Sequence, residues 1–429
     1  MRGFKRSPRL FGLGMLLAIP VLFGGQAKAD VHTDQGGSLI LFPKVVADGS
    51  RDTVIKITNK SNMQAYAHCF YTNALGSCTN DPDTSCLVDD DCAGGGTCDV
   101  PCEVTNFDVF LTAQQPTFWR VSTGRFADIT TEPCEMNSTC SCSVDPVSGA
   151  LICPGFDPGA AGGLNSIAIL GTGEAFNGEL RCYQTEDDFE TPVSSNSLIG
   201  EAVLTTLSSG EQSQYNAITI EANPAANVDN SDQNLLLNNT ASVDGEYNAC
   251  PSSLVFTHYG DGADELVSGA TVSTELTLVP CTVLYSEGEP VTPVLNFYVT
   301  DQLEFTVSAE ARAFQCHFNR ALSDISTIFD ASAQSTFLKT RIVPDSSNIC
   351  LTGDNAGDSC DDDSDCPNHL TNSGQSLGCR PSSGVLGVVE QFYSDGGRDV
   401  GSAAWSITNE GERSAPGDIM SLPPAVPIP

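Results

Sequence analysis

Apolar and polar residues alternate with a period of two in several runs of this chain: Thr53 to Thr58 (TVIKIT), Gln214 to Glu221 (QYNAITIE), Val272 to Val279 (VSTELTLV) and Glu304 to Ala313 (EFTVSAEARA). That period turns one face of each run to a core and the other to water, so each predicts a half-buried strand. Clusters of Gly, Asn, Asp and Ser separate the runs and supply turn chemistry. Helical periodicity is confined to Arg320 to Ala333 (RALSDISTIFDASA), enough for one or two turns. Short strands with turn-rich connections predict an all-β chain of antiparallel sandwiches rather than a parallel α/β sheet.

The chain has 429 residues, more than one hydrophobic core usually serves. The expected organisation is two tandem antiparallel β-sandwich domains with disulfide-rich inserted loops, at residues 30–225 and 250–429. A linker at 226–249 would join them, rich in Asn, poor in aromatics, and with Leu235 to Leu237 as its apolar knot. Cys-rich inserts fall at 78–102 and 134–153 in the first domain and at 350–379 in the second. A repeated order of short segments supports two related halves. The first reads TVIKIT at Thr53, QPTFWR at Gln115, a Cys cluster, GELRCY at Gly178 and GEAVL at Gly200. The second reads VLNFYVT at Val294, QSTFLK at Gln334, a Cys cluster, GVLGVV at Gly384 and GSAAW at Gly401.

Residues 1–29 change the picture of compartment. Arg2, Lys5, Arg6 and Arg9 precede an apolar stretch from Leu10 to Phe23, and Ala27, Lys28 and Ala29 form an A-x-A cleavage site, the pattern of an export signal. The apolar stretch is too short to span a bilayer. The expectation is a protein with no membrane insertion after cleavage, secreted or at the cell surface, with the periplasm as the other destination. Cleavage removes five Lys and Arg and no acid, taking the net charge from −35 to −40. Phosphate contacts need clustered cations, so the balance predicts no nucleic acid as partner.

All 18 Cys follow that signal, and an even count in an oxidising compartment predicts nine disulfides. No C-x-x-C occurs, which removes haem attachment and the usual zinc pairs. Cys78, Cys86, Cys92 and Cys98 are spaced C-x7-C-x5-C-x5-C, and Cys350, Cys360, Cys366 and Cys379 C-x9-C-x5-C-x12-C. Both quartets centre on S-C-x-x-D-x-D-C. This motif resembles the short acidic Cys repeats of secreted Gram-negative bacterial proteins; the resemblance covers roughly 50 residues and implies no activity. Setting aside these quartets and the cluster Cys134, Cys140, Cys142 and Cys153 leaves six others, so each group can close internally. Among the six, the expected bridges are Cys69 with Cys102, Cys182 with Cys250, and Cys281 with Cys316. Asp89, Asp91, Asp363 and Asp365 put hard oxygen donors on these loops, which makes calcium the candidate cofactor, although the glycine and terminal Glu of an EF-hand are missing.

Catalytic chemistry finds little to stand on. H-E-x-x-H, S-x-x-K and the phosphate-binding G-x-x-x-x-G-K are absent, and the one G-x-S-x-G, Gly374 to Gly378, falls inside the Cys-rich insert at 350–379. Of five His, His32 lies near the start of the cleaved chain and His369 in a Cys-rich loop, while His68 and His317 adjoin Cys69 and Cys316. Adjacent strand residues point to opposite faces, and an oxidised Cys is no nucleophile. His258 with Asp261 and Asp264 is the remaining acid-base or metal grouping. Trp119 and Trp405, the only tryptophans, sit in strand-like runs and read as core rather than sugar platforms. The leading expectation is an exported non-catalytic structural or interaction protein, surface-displayed or polymerising, whose partner is itself or another surface protein. Within it, Ser38 to Val46 (SLILFPKVV) is either a donor strand for a neighbouring subunit or the first strand of its own domain. The alternatives are a calcium-dependent extracellular binding module and a hydrolase with a site not readable from sequence.

Overall fold

The computed structural model describes residues 31–87, 91–125, 143–144, 151–152, 169, 171–173, 175–223, 234–238, 246–264, 269–286, 290–331, 336–369, 371–372, 375–376, 378–413 and 417–423. The export signal, Asp89 and the cluster Cys134, Cys140, Cys142 and Cys153 lie outside these residues.

Almost every described element is a strand, as the period-two runs require. In the first half these are β1 (Leu39–Ala47), β2 (Arg51–Asn59), β3 (Ala65–Asn73), β4 (Glu103–Leu111), β5 (Pro116–Arg120), β6 (Phe176–Thr185), β7 (Leu198–Thr206), β8 (Gln212–Asn216) and β9 (Ile218–Ile220). Antiparallel pairing builds one layer in the order β9-β1-β6-β3-β4 and another in the order β5-β2-β7-β8. Alternate residues of both layers meet in one core that includes Phe42, Ile57, Tyr71, Trp119 and Leu180. Trp119 lies within that core and donates its indole N–H to the Tyr71 hydroxyl at 2.6 Å, which satisfies the polar end of a buried aromatic. Ser38 to Val46 supplies β1, paired on one side with β6 and on the other with β9, so it is a strand of its own fold and not a donor to a neighbour.

In the second half, β10 (Asn234–Leu237) precedes β11 (Pro251–Tyr259), β12 (Thr271–Pro280), β13 (Val283–Leu284), β14 (Val294–Thr300), β15 (Thr306–Ala313) and β16 (Phe318–Ala321). There follow β17 (Phe337–Pro344), β18 (Val385–Asp395), β19 (Arg398–Ser406), β20 (Thr408–Glu412) and β21 (Asp418–Ser421). The layers run β20-β11-β17-β14-β15 and β16-β12-β18-β19. This is the pairing scheme of the first half strand for strand, down to the layer change at Ile407, which matches the one at Ala217. The repeated sequence segments fall one strand out of step with that correspondence. TVIKIT lies in β2 and VLNFYVT in β14, the counterpart of β3; GELRCY lies in β6 and GVLGVV in β18, the counterpart of β7. The helical run contributes a single turn at Leu322–Ile325 and a 3-10 turn at Thr327–Phe329.

The described part of 226–249 is built into the body. Strand β10 pairs with β21, and β13 runs parallel to β21 on its other side. Leu235, Leu237 and Tyr247 are buried in a cluster that also holds Leu39, Leu41 and Phe70 from the first half and Val279, Leu386 and Met420 from the second.

Seven disulfides join the fourteen described Cys. Each quartet closes on itself, Cys78–Cys92 with Cys86–Cys98 and Cys350–Cys366 with Cys360–Cys379, in the same first-to-third, second-to-fourth order. The six remaining Cys also pair among themselves, but none of the three expected bridges forms. Cys69 bonds Cys182 because the two stand directly opposite on β3 and β6. Cys250 bonds Cys281, tying the start of β11 to the end of β12. Cys102, at the base of the first Cys-rich insert, reaches across to Cys316 in the second half. These bridges indicate an oxidising environment. Among the described residues no helix is long and apolar enough to cross a membrane.

Candidate functional site

A buried grouping of charge lies where the halves meet. A register shift in β1 near Pro43 and Lys44 turns Lys44 outward, where its side chain is wholly buried against the second half. Its Nζ stands 2.9 Å from Glu275 Oε1 and 2.8 Å from Glu390 Oε2. Arg51 Nη2 donates to Glu390 Oε1 at 2.5 Å, and Ser213 Oγ donates to the same oxygen. Burial pushes the Glu390 carboxyl up, but Lys44 and Arg51 overcome it and hold the pKa down at about 2. A second buried pair lies nearby on β6: Arg181 is bound by Glu179 at 2.8 Å and donates to the carbonyls of Pro280 at 2.5 Å and Cys281 at 3.3 Å. Both groupings are engaged by protein groups from the two halves, so they act as fasteners between them.

The Asp-rich modules show the same inward use of charge. Asp91 Oδ2 accepts the N–H of Leu87 at 2.8 Å, and Asp365 Oδ2 accepts that of Asp361 at 2.9 Å. The two positions are equivalent: the Asp before the third Cys of each quartet caps the amide just after the second. Asp363 Oδ1 accepts the Cys379 N–H at 2.8 Å, and Asp91 also meets Arg320 at 3.5 Å. Sequence spacing alone makes these carboxylates metal donors, one pair on each loop; the folded loops direct each described one toward backbone N–H groups.

The His expectations resolve into structural roles. His68 Nδ1 is 2.6 Å from Asp108 Oδ1, across the β3–β4 pair. His258 is buried between Thr340, 2.8 Å from Nε2, and the Tyr259 carbonyl, 2.7 Å from Nδ1. Asp261 accepts the Thr274 and Ser323 amides, so His258 and Asp261 are bonded to different neighbours. His317 Nε2 faces the Pro43 carbonyl at 3.1 Å. Burial pushes both His258 and His317 down to about 4, which keeps them neutral near pH 7. Cys69 and Cys316 are disulfide-bonded.

Among the described residues two outer faces remain uncovered. On β5-β2-β7-β8, a shallow cavity of about 350 Å³ is lined by Asp34, Lys56, Phe118, Glu201 and Asn216. Phe118, Lys56 and Glu201 stand in one row across three strands, Lys56 Nζ lies 2.8 Å from Glu201 Oε1, and Phe118 is 68% exposed. On β20-β11-β17-β14-β15, Phe337, Lys339, Arg341 and Tyr298 point outward. Sequence reasoning weighed Trp119 and passed over Phe118, its neighbour on the opposite face; the alternation in PTFWR carried the signal. The chain matches no protein-family model, and no similar curated protein is found.

Proposed function

We propose that this chain is an exported, non-catalytic structural or interaction protein: a stiff acidic body that presents surfaces rather than turning over a substrate. The observation that supports the reading is the use of ionisable side chains. Lys44, Glu390, Glu179 and Arg181 are buried and engaged with one another or with backbone carbonyls at the junction of the halves. An active site keeps comparable groups facing a cleft where a reacting atom can sit. Cys102–Cys316 adds a covalent tie at the same junction. The test is a turnover screen of the purified mature protein against chromogenic esters, phosphates, glycosides and peptides. No turnover is expected; hydrolysis that copurifies with the protein and disappears on substituting Lys56, Glu201 or another cavity residue overturns the reading.

A further inference from the structure

The two halves use opposite faces for their junction. The first half commits the outer face of β9-β1-β6-β3-β4, where Leu41, Phe70 and Arg181 are buried. The second commits the outer face of β16-β12-β18-β19, where Leu386, Val388 and Glu390 are buried. Because the halves share one pairing scheme, each leaves bare, among the described residues, the counterpart of the face that the other has used.

The bare faces keep features of the covered ones. In the junction Arg181 stands in register between Leu41 and Phe70. On the bare face Arg341 stands between Val255 and Tyr298, again an arginine flanked by an aliphatic and an aromatic residue on the same three strands of the scheme. Arg181 is held by Glu179; Arg341 is held by Glu410 at 3.4 Å with about half of its side chain still exposed. We propose that a second copy of this chain covers these faces, the Arg341 face of one copy docking head to tail on the Phe118 face of the next.

Charge favours that partner. The Arg341 face adds Lys339 to its arginine, in a chain of 54 acidic and 19 basic residues. The Phe118 face offers Asp34 and Glu201, the latter shared with Lys56, beside an exposed aromatic ring and a cavity that can receive side chains. The contact pairs unlike surfaces, so it is heterologous, and a heterologous contact that does not close into a ring propagates as a filament. This deepens the structural role proposed above, on which it rests, by naming the partner.

Sedimentation velocity tests it, from about 1 μM to about 1 mM protein, at about 0.15 M salt so that long-range repulsion between acidic chains is screened. Wild type is expected to grow in mass with concentration. Lys339→Glu/Arg341→Glu, and separately Glu201→Lys, should each weaken association about tenfold or more, with melting temperatures that show both variants folded. Mixed in equal amounts, the two variants should associate again, since each retains one intact face and the two reversed faces carry opposite charge. A wild type that stays monomeric, variants that associate as wild type does, or a mixture that stays monomeric each overturns the proposal. A monomer that turns nothing over overturns this contact alone and leaves the non-catalytic reading standing.

Discussion

Glu390 shows how much a single buried residue can hold here. Its folded pKa of about 2 lies below the ordinary 4.5, so the unfolded chain binds the proton more readily. The stabilisation is therefore complete above about pH 4.5 and is lost as pH falls toward 2. Lys44→Met leaves this carboxylate with Arg51 as its one remaining cation, beside the Ser213 hydroxyl, and should cost about 3–5 kcal/mol in urea unfolding, the usual result of breaking a buried pair from one side. His258 and His317 act at milder acidity. Both sit near pKa 4 when folded and near 6.5 when unfolded, so the unfolded state again takes up more protons. The urea midpoint should fall as pH drops from 6.5 toward 4, and the fall should shrink in His317→Gln, whose amide can still reach the Pro43 carbonyl. None of this was legible in the sequence. Lys44 reads there as an ordinary strand cation, and only the register shift in β1 and the packing of a distant strand make it a buried fastener.

At the scale of elements, strands were readable and their partners were not. The period of two in TVIKIT or VSTELTLV fixes a half-buried strand wherever it occurs, yet it says nothing about which strand lies alongside. The internal matches therefore slipped by one strand, since any half-buried strand resembles the next in the same sheet. Disulfides divide the same way. The quartets pair within themselves because their loops are short, whereas the match of Cys69 with Cys182 depends on β3 lying beside β6, more than a hundred residues on. The Asp-rich motif was legible as a repeat, but its role as an amide cap was not. Asp365→Ala should speed hydrogen exchange at the Asp361 amide without unfolding the body, because the module is held by its own two bridges. Calcium and magnesium should raise the melting temperature equally, through screening of the acidic surface. A larger rise with calcium that Asp91→Asn and Asp365→Asn remove would make these loops calcium sites instead.

The whole molecule couples the two halves through the shared apolar cluster, the Lys44 network and Cys102–Cys316. Calorimetry should show one cooperative transition, and Cys102→Ser/Cys316→Ser should lower stability by about 2–4 kcal/mol. Two well-separated transitions in the wild type would mean that the shared cluster does not couple them. The expected linker was drawn from its Asn-rich, aromatic-poor composition; what composition hid is that Leu235 and Leu237 find a partner strand at the far end of the chain, in β21. Bridge connectivity also has a consequence for how the protein is made. Cys69 waits 113 residues for Cys182 and Cys102 waits 214 for Cys316, and the two spans interleave. A ribosome delivers thiols in sequence order, so oxidation faster than synthesis joins neighbours such as Cys69 and Cys102 and traps the chain. Maturation then becomes a problem of thiol–disulfide reshuffling on the seconds-to-hours scale, and its yield should depend on an isomerase or a glutathione couple rather than on an oxidant alone.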